Sequence, residues 1–122
     1  MNRRTPRPRR SFIFTPGLKP EMFAKALASG ADMVCIELED GIAPQDKAEA
    51  RMRALKLFEE PQADDGVERI VRINSMREKF GIDDVQAILE TNTPPPSLMM
   101  PKVRTPDEVK ILDQLLTERG HP

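Results

Sequence analysis

Apolar or β-branched runs recur at residues 11–15, 32–38, 68–73 and 97–103, and a stretch with helical spacing follows each one. Short apolar runs bounded by turn residues read as buried strands, so the pattern predicts four strand–helix units. The first helix is expected from Pro20, through Met22, Phe23, Ala26 and Leu27, to a stop at Gly30. The second is expected from about Asp46, carrying Ala50, Ala54, Leu55 and Phe58 before Pro61, with a polar loop over 62–66. A third spans about Ile82 to Glu90. A fourth starts at Thr105-Pro106-Asp107-Glu108, where Thr105 can cap, Pro106 suits the first turn and Glu108 completes a capping box.

Alternating strands and helices imply a parallel sheet with right-handed crossovers, either open and doubly wound or curled into a barrel. The strand faces favour the barrel. On the second run Val34, Ile36 and Leu38 share one face while Cys35, Glu37 and Glu39 share the other. On the third, Ile70, Arg72 and Asn74 oppose Val71 and Ile73, and on the fourth Met100 and Lys102 oppose Met99, Pro101 and Val103. An open doubly wound sheet meets helices on both faces, where such charges are costly. A barrel lumen can gather Glu37, Glu39, Arg72 and Lys102, with Asn74, into a compensated cluster. The fold class is therefore α/β, a partial (β/α)8 barrel made of its first four βα units, because a full barrel typically needs about 250 residues. Four units alone would leave open strand edges, so the chain is expected to be a truncated product, a partial chain or a half that pairs with another chain.

Composition adds exclusions more than assignments. The balance of 19 basic and 20 acidic residues gives no overall field for nucleic acid or membrane, and no apolar run is long enough for a membrane span. A single cysteine, Cys35, excludes an internal disulfide and reads as buried space-filling, which suits a reducing cytoplasm. Five arginines within the first ten residues read as a basic, disordered leader over 1–10, with a phosphate-binding arm or mitochondrial import as the alternatives. The domain proper then covers 11–119, and residues 120–122, with the lone His121, form a non-catalytic tail.

The carboxyl end of the second strand, Leu38-Glu39-Asp40-Gly41-Ile42-Ala43-Pro44, places acids where α/β folds keep their active sites. Together with Ser11-Phe12-Ile13-Phe14-Thr15-Pro16-Gly17, the 25–32 helix end, Arg69-Ile70-Val71-Arg72-Ile73-Asn74 and Met99-Met100-Pro101-Lys102-Val103, it resembles the citrate lyase beta subunit and malyl-CoA lyase group of the HpcH/HpaI aldolases. The resemblance implies a cytoplasmic, Mg2+-dependent carbon–carbon lyase acting on an acyl-CoA with a 3-hydroxy acid portion through a thioester enolate, and a homo-oligomer when intact. It puts Arg72 at the substrate, where a guanidinium offers a planar fork to a carboxylate. Glu39 and Asp40 are expected to orient Arg72 or metal-bound waters without touching the metal. Phe14, Lys19 and Lys25 are expected at CoA, the aromatic ring against adenine or pantetheine and the lysines at phosphates. Glu37, Asn74 and Lys102 are expected to line the lumen structurally. The family's direct metal ligands, at the ends of its fifth and sixth strands, would lie beyond Pro122, so this chain supplies none and is expected to be inactive alone. A thioesterase or CoA-independent aldolase of the same superfamily, and a non-catalytic half-barrel assembly module, are the alternatives.

Overall fold

A computed structural model describes residues 6–121. Its strands are β1 (Phe12–Pro16), β2 (Met33–Glu37), β3 (Glu68–Arg72) and β4 (Ser97–Met99), and its helices are α1 (Glu21–Leu27), α2 (Lys47–Leu57), α3 (Lys79–Glu90) and α4 (Pro106–Glu118). The strands form one parallel sheet in the order β1-β2-β3-β4, so each helix is a crossover between neighbours or the return after the last strand.

One face of the sheet holds the core. Val34, Ile36 and Val71 pack with Phe23 and Ala26 of α1, Ala50 and Ala54 of α2, Val85 and Ile88 of α3 and Leu112 of α4. The fully buried small side chains Ala50 and Ala54 let α2 come close to the strands. α3 comes closer still to the segment after β3. A Cβ at Gly81 would lie 1.9 Å from the Ser75 carbonyl oxygen, so only glycine fits there. Gly30, at φ 90°, ends α1 in the left-handed region, as its place after the apolar stripe predicted. At α4 the Glu108 carboxylate accepts from the amides of Thr105 and Arg104, which satisfies donors at the helix start.

The opposite face is lined by the residues of other parity. The register pairs Phe14 with Cys35 and Ile70, and Pro16 with Glu37, Arg72 and Met99, so these share a side free of helices among the described residues.

Two expectations based on alternation need correction. Asn74 does not stay on the Arg72 face, because β3 ends at Arg72; its side chain bonds Lys47 of α2 and Asp84 of α3 instead. Lys102 does not project from a strand either. β4 stops at Met99, Pro101 cannot donate to a ladder, and Lys102 sits in a turn at φ 49°. Met99, by register, is the residue that shares the Arg72 face, while Met100 packs on the core side. α3 also begins three residues earlier than its apolar spacing suggested.

At the amino ends of the strands, Arg9 bonds Glu68 and Arg10 bonds Asp32, while residues 1–5 of the expected leader lie outside the described residues. At the other terminus the His121 ring lies 3.1 Å from the Thr91 carbonyl oxygen.

Candidate active site at the carboxyl edge of the sheet

Parallel register brings Glu37 and Arg72 side by side on the open face, at the carboxyl ends of β2 and β3. Arg72 Nε donates to Glu37 Oε1 at 2.9 Å, and its Nη2 donates to Oε2, a fork-to-fork pair. The same carboxylate also receives the amides of Glu39, at 2.8 Å, and Gly41, at 3.3 Å. Burial alone would raise the Glu37 pKa, but Arg72 and these two amides outweigh it and hold the group below the usual glutamate range. The Glu37 bond raises the Arg72 pKa. Glu37 is thus a fixed counter-ion to Arg72.

Glu39 lies one step further out. Its Oε2 receives Lys102 Nζ at 2.7 Å, and its Oε1 is 3.8 Å from Arg72 Nε. The Lys102 pKa is raised chiefly by that Glu39 bond. The four expected partners therefore meet, two acids with two bases, although Lys102 arrives from a turn. Asp40 is exposed beside them and adds to the field on Lys102.

Phe14 stacks on the guanidinium, with the Arg72 Cζ 4.5 Å from its ring centroid, and meets Phe12 edge-on at 4.9 Å. Arg72 is therefore held by a carboxylate along one edge and an aromatic ring on one face. Of its five N–H donors, three have no protein acceptor among the described residues, two on Nη1 and one on Nη2. With a side chain 22% exposed, it presents an oriented, partly desolvated cation to anything that enters the open face.

The two lysines expected at CoA phosphates do not join this cluster. Lys19 is exposed in the turn that follows β1, and Lys25 is exposed in the last turn of α1, which runs back toward the amino ends of the strands.

Behind the cluster lies a polar network not foreseen from the sequence. Lys47 Nζ donates to the carbonyls of Leu38, at 3.2 Å, and Glu39, at 2.6 Å, and to Asn74 Oδ1 at 2.6 Å. Asn74 donates from its amide and from Nδ2 to Asp84, whose other oxygen receives Arg51 at 3.3 Å. Burial raises the Asp84 pKa, and the Asn74 and Arg51 bonds oppose that rise. These contacts pin the backbone of Leu38 and Glu39 and so fix where the acids of the cluster stand. The available signal was a carboxylate on the buried helical stripe Gly81, Asp84, Val85, Ile88.

The described residues do not make a magnesium site. No three His, Cys, Asp or Glu side chains converge among them, Glu37 has both oxygens occupied, and Glu39 is bound to Lys102.

The four parallel βα units match the amino-terminal part of TIM-barrel CitE-like structures. The chain belongs to the HpcH/HpaI aldolase/citrate lyase family, which it matches over residues 10–121. It is 38% identical over 113 residues to the L-malyl-CoA/beta-methylmalyl-CoA lyase of Cereibacter sphaeroides, covering 91% of this chain and 35% of that enzyme. It is 33% identical over 103 residues to human mitochondrial citramalyl-CoA lyase, covering 84% of this chain and 30% of that enzyme. The chain thus spans about a third of the length of these curated relatives. Among solved structures, Mycobacterium tuberculosis CitE in complex with magnesium, acetoacetate and coenzyme A superposes with a TM-score of 0.67 at 32% identity, over 86% of this chain and 38% of CitE. RipC from Yersinia pestis also gives 0.67 at 32% identity, over 88% of this chain and 40% of RipC.

Proposed function

We propose that this chain supplies the arginine-centred part of a CoA-ester lyase site, binding an acyl-CoA with a 3-hydroxy acid portion. The observation that carries the reading is Arg72, fixed by Glu37 and Phe14 with three donors to spare, in a family whose similar members include malyl-CoA and citramalyl-CoA lyases. Cleavage of such a thioester breaks the bond between C2 and C3. The electron pair stays on C2 as the thioester enolate, and the C3 hydroxyl gives up its proton as that carbon becomes a carbonyl. Arg72 is suited to hold the carboxylate or the oxygens that gain charge in this step. Glu39, Asp40 and Lys102 shape the field around it, and Phe14 orients it.

Lys19, next to the carboxyl end of β1, is better placed for a CoA phosphate than Lys25. A magnesium ion, as in the CitE complex, would stabilise the charge that this step develops; the described residues would not hold it, so by themselves they should not turn over substrate.

Titrating the 15N-labelled chain with a 3-hydroxyacyl-CoA, and separately with the free 3-hydroxy acid, tests the reading. Both should shift the Arg72 side chain and the Glu39–Gly41 amides, and Arg72→Lys should abolish the effect. Lys19→Ala should weaken the CoA ester only. Unmoved Arg72 signals at millimolar ligand would overturn the assignment.

A further inference from the structure

The Glu39 carboxylate stands between two cations, and its backbone is not free to move toward either. Its amide donates to Glu37 Oε1 at 2.8 Å and its carbonyl receives Lys47 Nζ at 2.6 Å, so only the side chain can turn. Lys102 Nζ holds Oε2 at 2.7 Å. Oε1 lies 3.8 Å from Arg72 Nε, about 1 Å beyond a hydrogen bond. Arg72 already gives one edge to Glu37, and a second carboxylate on it would occupy donors that a ligand needs.

Among the described residues Lys102 is the one non-glycine with a positive φ, at 49°. The left-handed region disfavours a side chain, and this turn is held there from outside. Arg77 Nη2 donates to the Lys102 carbonyl at 3.0 Å and Nη1 donates to Glu108, whose carboxylate also takes the Arg104 and Thr105 amides at the start of α4. The Arg77 amide is itself bonded to Ser75 Oγ at 3.2 Å, in the segment after β3. An ion pair whose lysine side chain is 66% exposed adds little to stability. A disfavoured backbone kept in place to form so weak a pair points to what the pair does to Glu39. Asp40 and Glu78 also act on Lys102 through their charge, but Glu39 is the acid bonded to it among the described residues.

We propose that Lys102 is a positioning residue that draws Glu39 away from Arg72 and so keeps the outer donors of the guanidinium open. Without the ammonium, the Glu39 side chain turns through the remaining distance, occupies Arg72 and competes from within the fold with an incoming carboxylate. Arg77 acts one step further back, by holding the turn that aims Lys102. The inference rests on the reading of Arg72 as the ligand-binding cation, but the movement of Glu39 is a property of the free chain and is read without ligand.

The test is a double-mutant cycle of Lys102→Gly and Glu39→Gln in the full chain, glycine being at ease at that φ. In ligand-free spectra of the 15N,13C-labelled chain, Lys102→Gly should add a through-bond coupling between the Arg72 guanidinium and the Glu39 carboxylate beside the one to Glu37. Binding of 3-hydroxybutyryl-CoA, followed at Arg72, should weaken about tenfold, since apparent affinity falls with the fraction of chains whose arginine is open. In the Glu39→Gln background the same lysine change should alter Kd by less than about twofold, because the internal competitor is gone. Arg77→Met should weaken binding in the same direction by a smaller factor, and Lys102→Met replaces Lys102→Gly if the glycine variant does not fold. An equal loss in both backgrounds would make Lys102 a direct contact or a plain source of field and would overturn the proposal. So would a ligand-free Lys102→Gly spectrum with no coupling to Glu39. A wild-type chain that ignores 3-hydroxybutyryl-CoA would overturn the reading of Arg72, and the ligand-free spectra would still decide the role of Lys102.

Discussion

Removing the Glu37 carboxylate separates the ionic cluster from the rest of the fold. Glu37→Ala leaves four donors without their acceptor, namely Nε and Nη2 of Arg72 and the amides of Glu39 and Gly41. Breaking a buried pair by removing one partner costs roughly 3–5 kcal/mol. Here the side chain of Arg72 is 22% exposed and Glu39 Oε1, 3.8 Å away, can take over part of its charge. The expected loss is therefore about 2–3 kcal/mol. Glu37→Gln keeps one acceptor and should lose about half as much. With a urea slope of about 1.5 kcal/mol/M, Glu37→Ala should lower the midpoint by roughly 1.3–2 M at an unchanged slope.

The acid limb gives a second reading of the same change. Folding lowers the Glu37 pKa, so its stabilisation is complete above the ordinary glutamate range and disappears as pH falls through the depressed value. Wild type should therefore lose more stability between pH 6 and pH 3 than Glu37→Gln does. A Glu37→Ala midpoint within 0.3 M of wild type, or parallel acid limbs for wild type and Glu37→Gln, would refute the reasoning.

Three further outcomes follow from the packing. Gly81→Ala sets a Cβ 1.9 Å from the Ser75 carbonyl oxygen, and overpacking of about 3 kcal/mol less about 1 kcal/mol of helix propensity should leave it about 2 kcal/mol less stable; a neutral or stabilising result in urea would show that α3 does not approach so closely. Asp84→Ala should cost about 3 kcal/mol by orphaning the Asn74 amide and one Nδ2 hydrogen and by removing the partner of Arg51, whereas Asp84→Asn should cost less and make the loss of stability on acidification steeper. That sign follows because folding raises the Asp84 pKa, so its contribution is present below the ordinary aspartate range and fades as pH rises through the raised value; a shallower acid limb in Asp84→Asn would contradict it. Cys35 is fully buried, and burial with the Glu37 charge pushes its thiol up to about 12, so a disulfide reagent at pH 8 should label the folded chain roughly a thousandfold more slowly than the urea-unfolded chain, comparable rates being the contrary result.

The four βα units were legible because their signals are local: apolar runs for strands, Gly30 as a stop, and the Thr105 to Glu108 start of α4. Glu37 and Arg72 were legible because both stand inside regular strands, where alternate residues share a face. The same rule failed two or three residues past a strand end. Asn74 follows the end of β3 and turns to the helical layer, and Lys102 reaches Glu39 only through a turn with positive φ. A strand's last residue depends on its neighbours' ladder bonds, which one segment does not encode. Lys47 escaped notice because a lysine on a helix reads as solvated, and the three acceptors that hold it come from the segment after β2, which supplies two, and the segment after β3, which supplies one. Asp84 could have been found from its place on the stripe of α3, but its partners could not.

The most direct measurement of the central claim is the 15Nε resonance of Arg72 in the free chain and with a short 3-hydroxy acid. An arginine locked to Glu37 and stacked on Phe14 should show a slowly exchanging Nε proton and a through-bond coupling to the Glu37 carboxylate, and the acid should move the Nη signals while leaving that coupling intact. A freely rotating, rapidly exchanging guanidinium that the acid does not perturb would contradict the account.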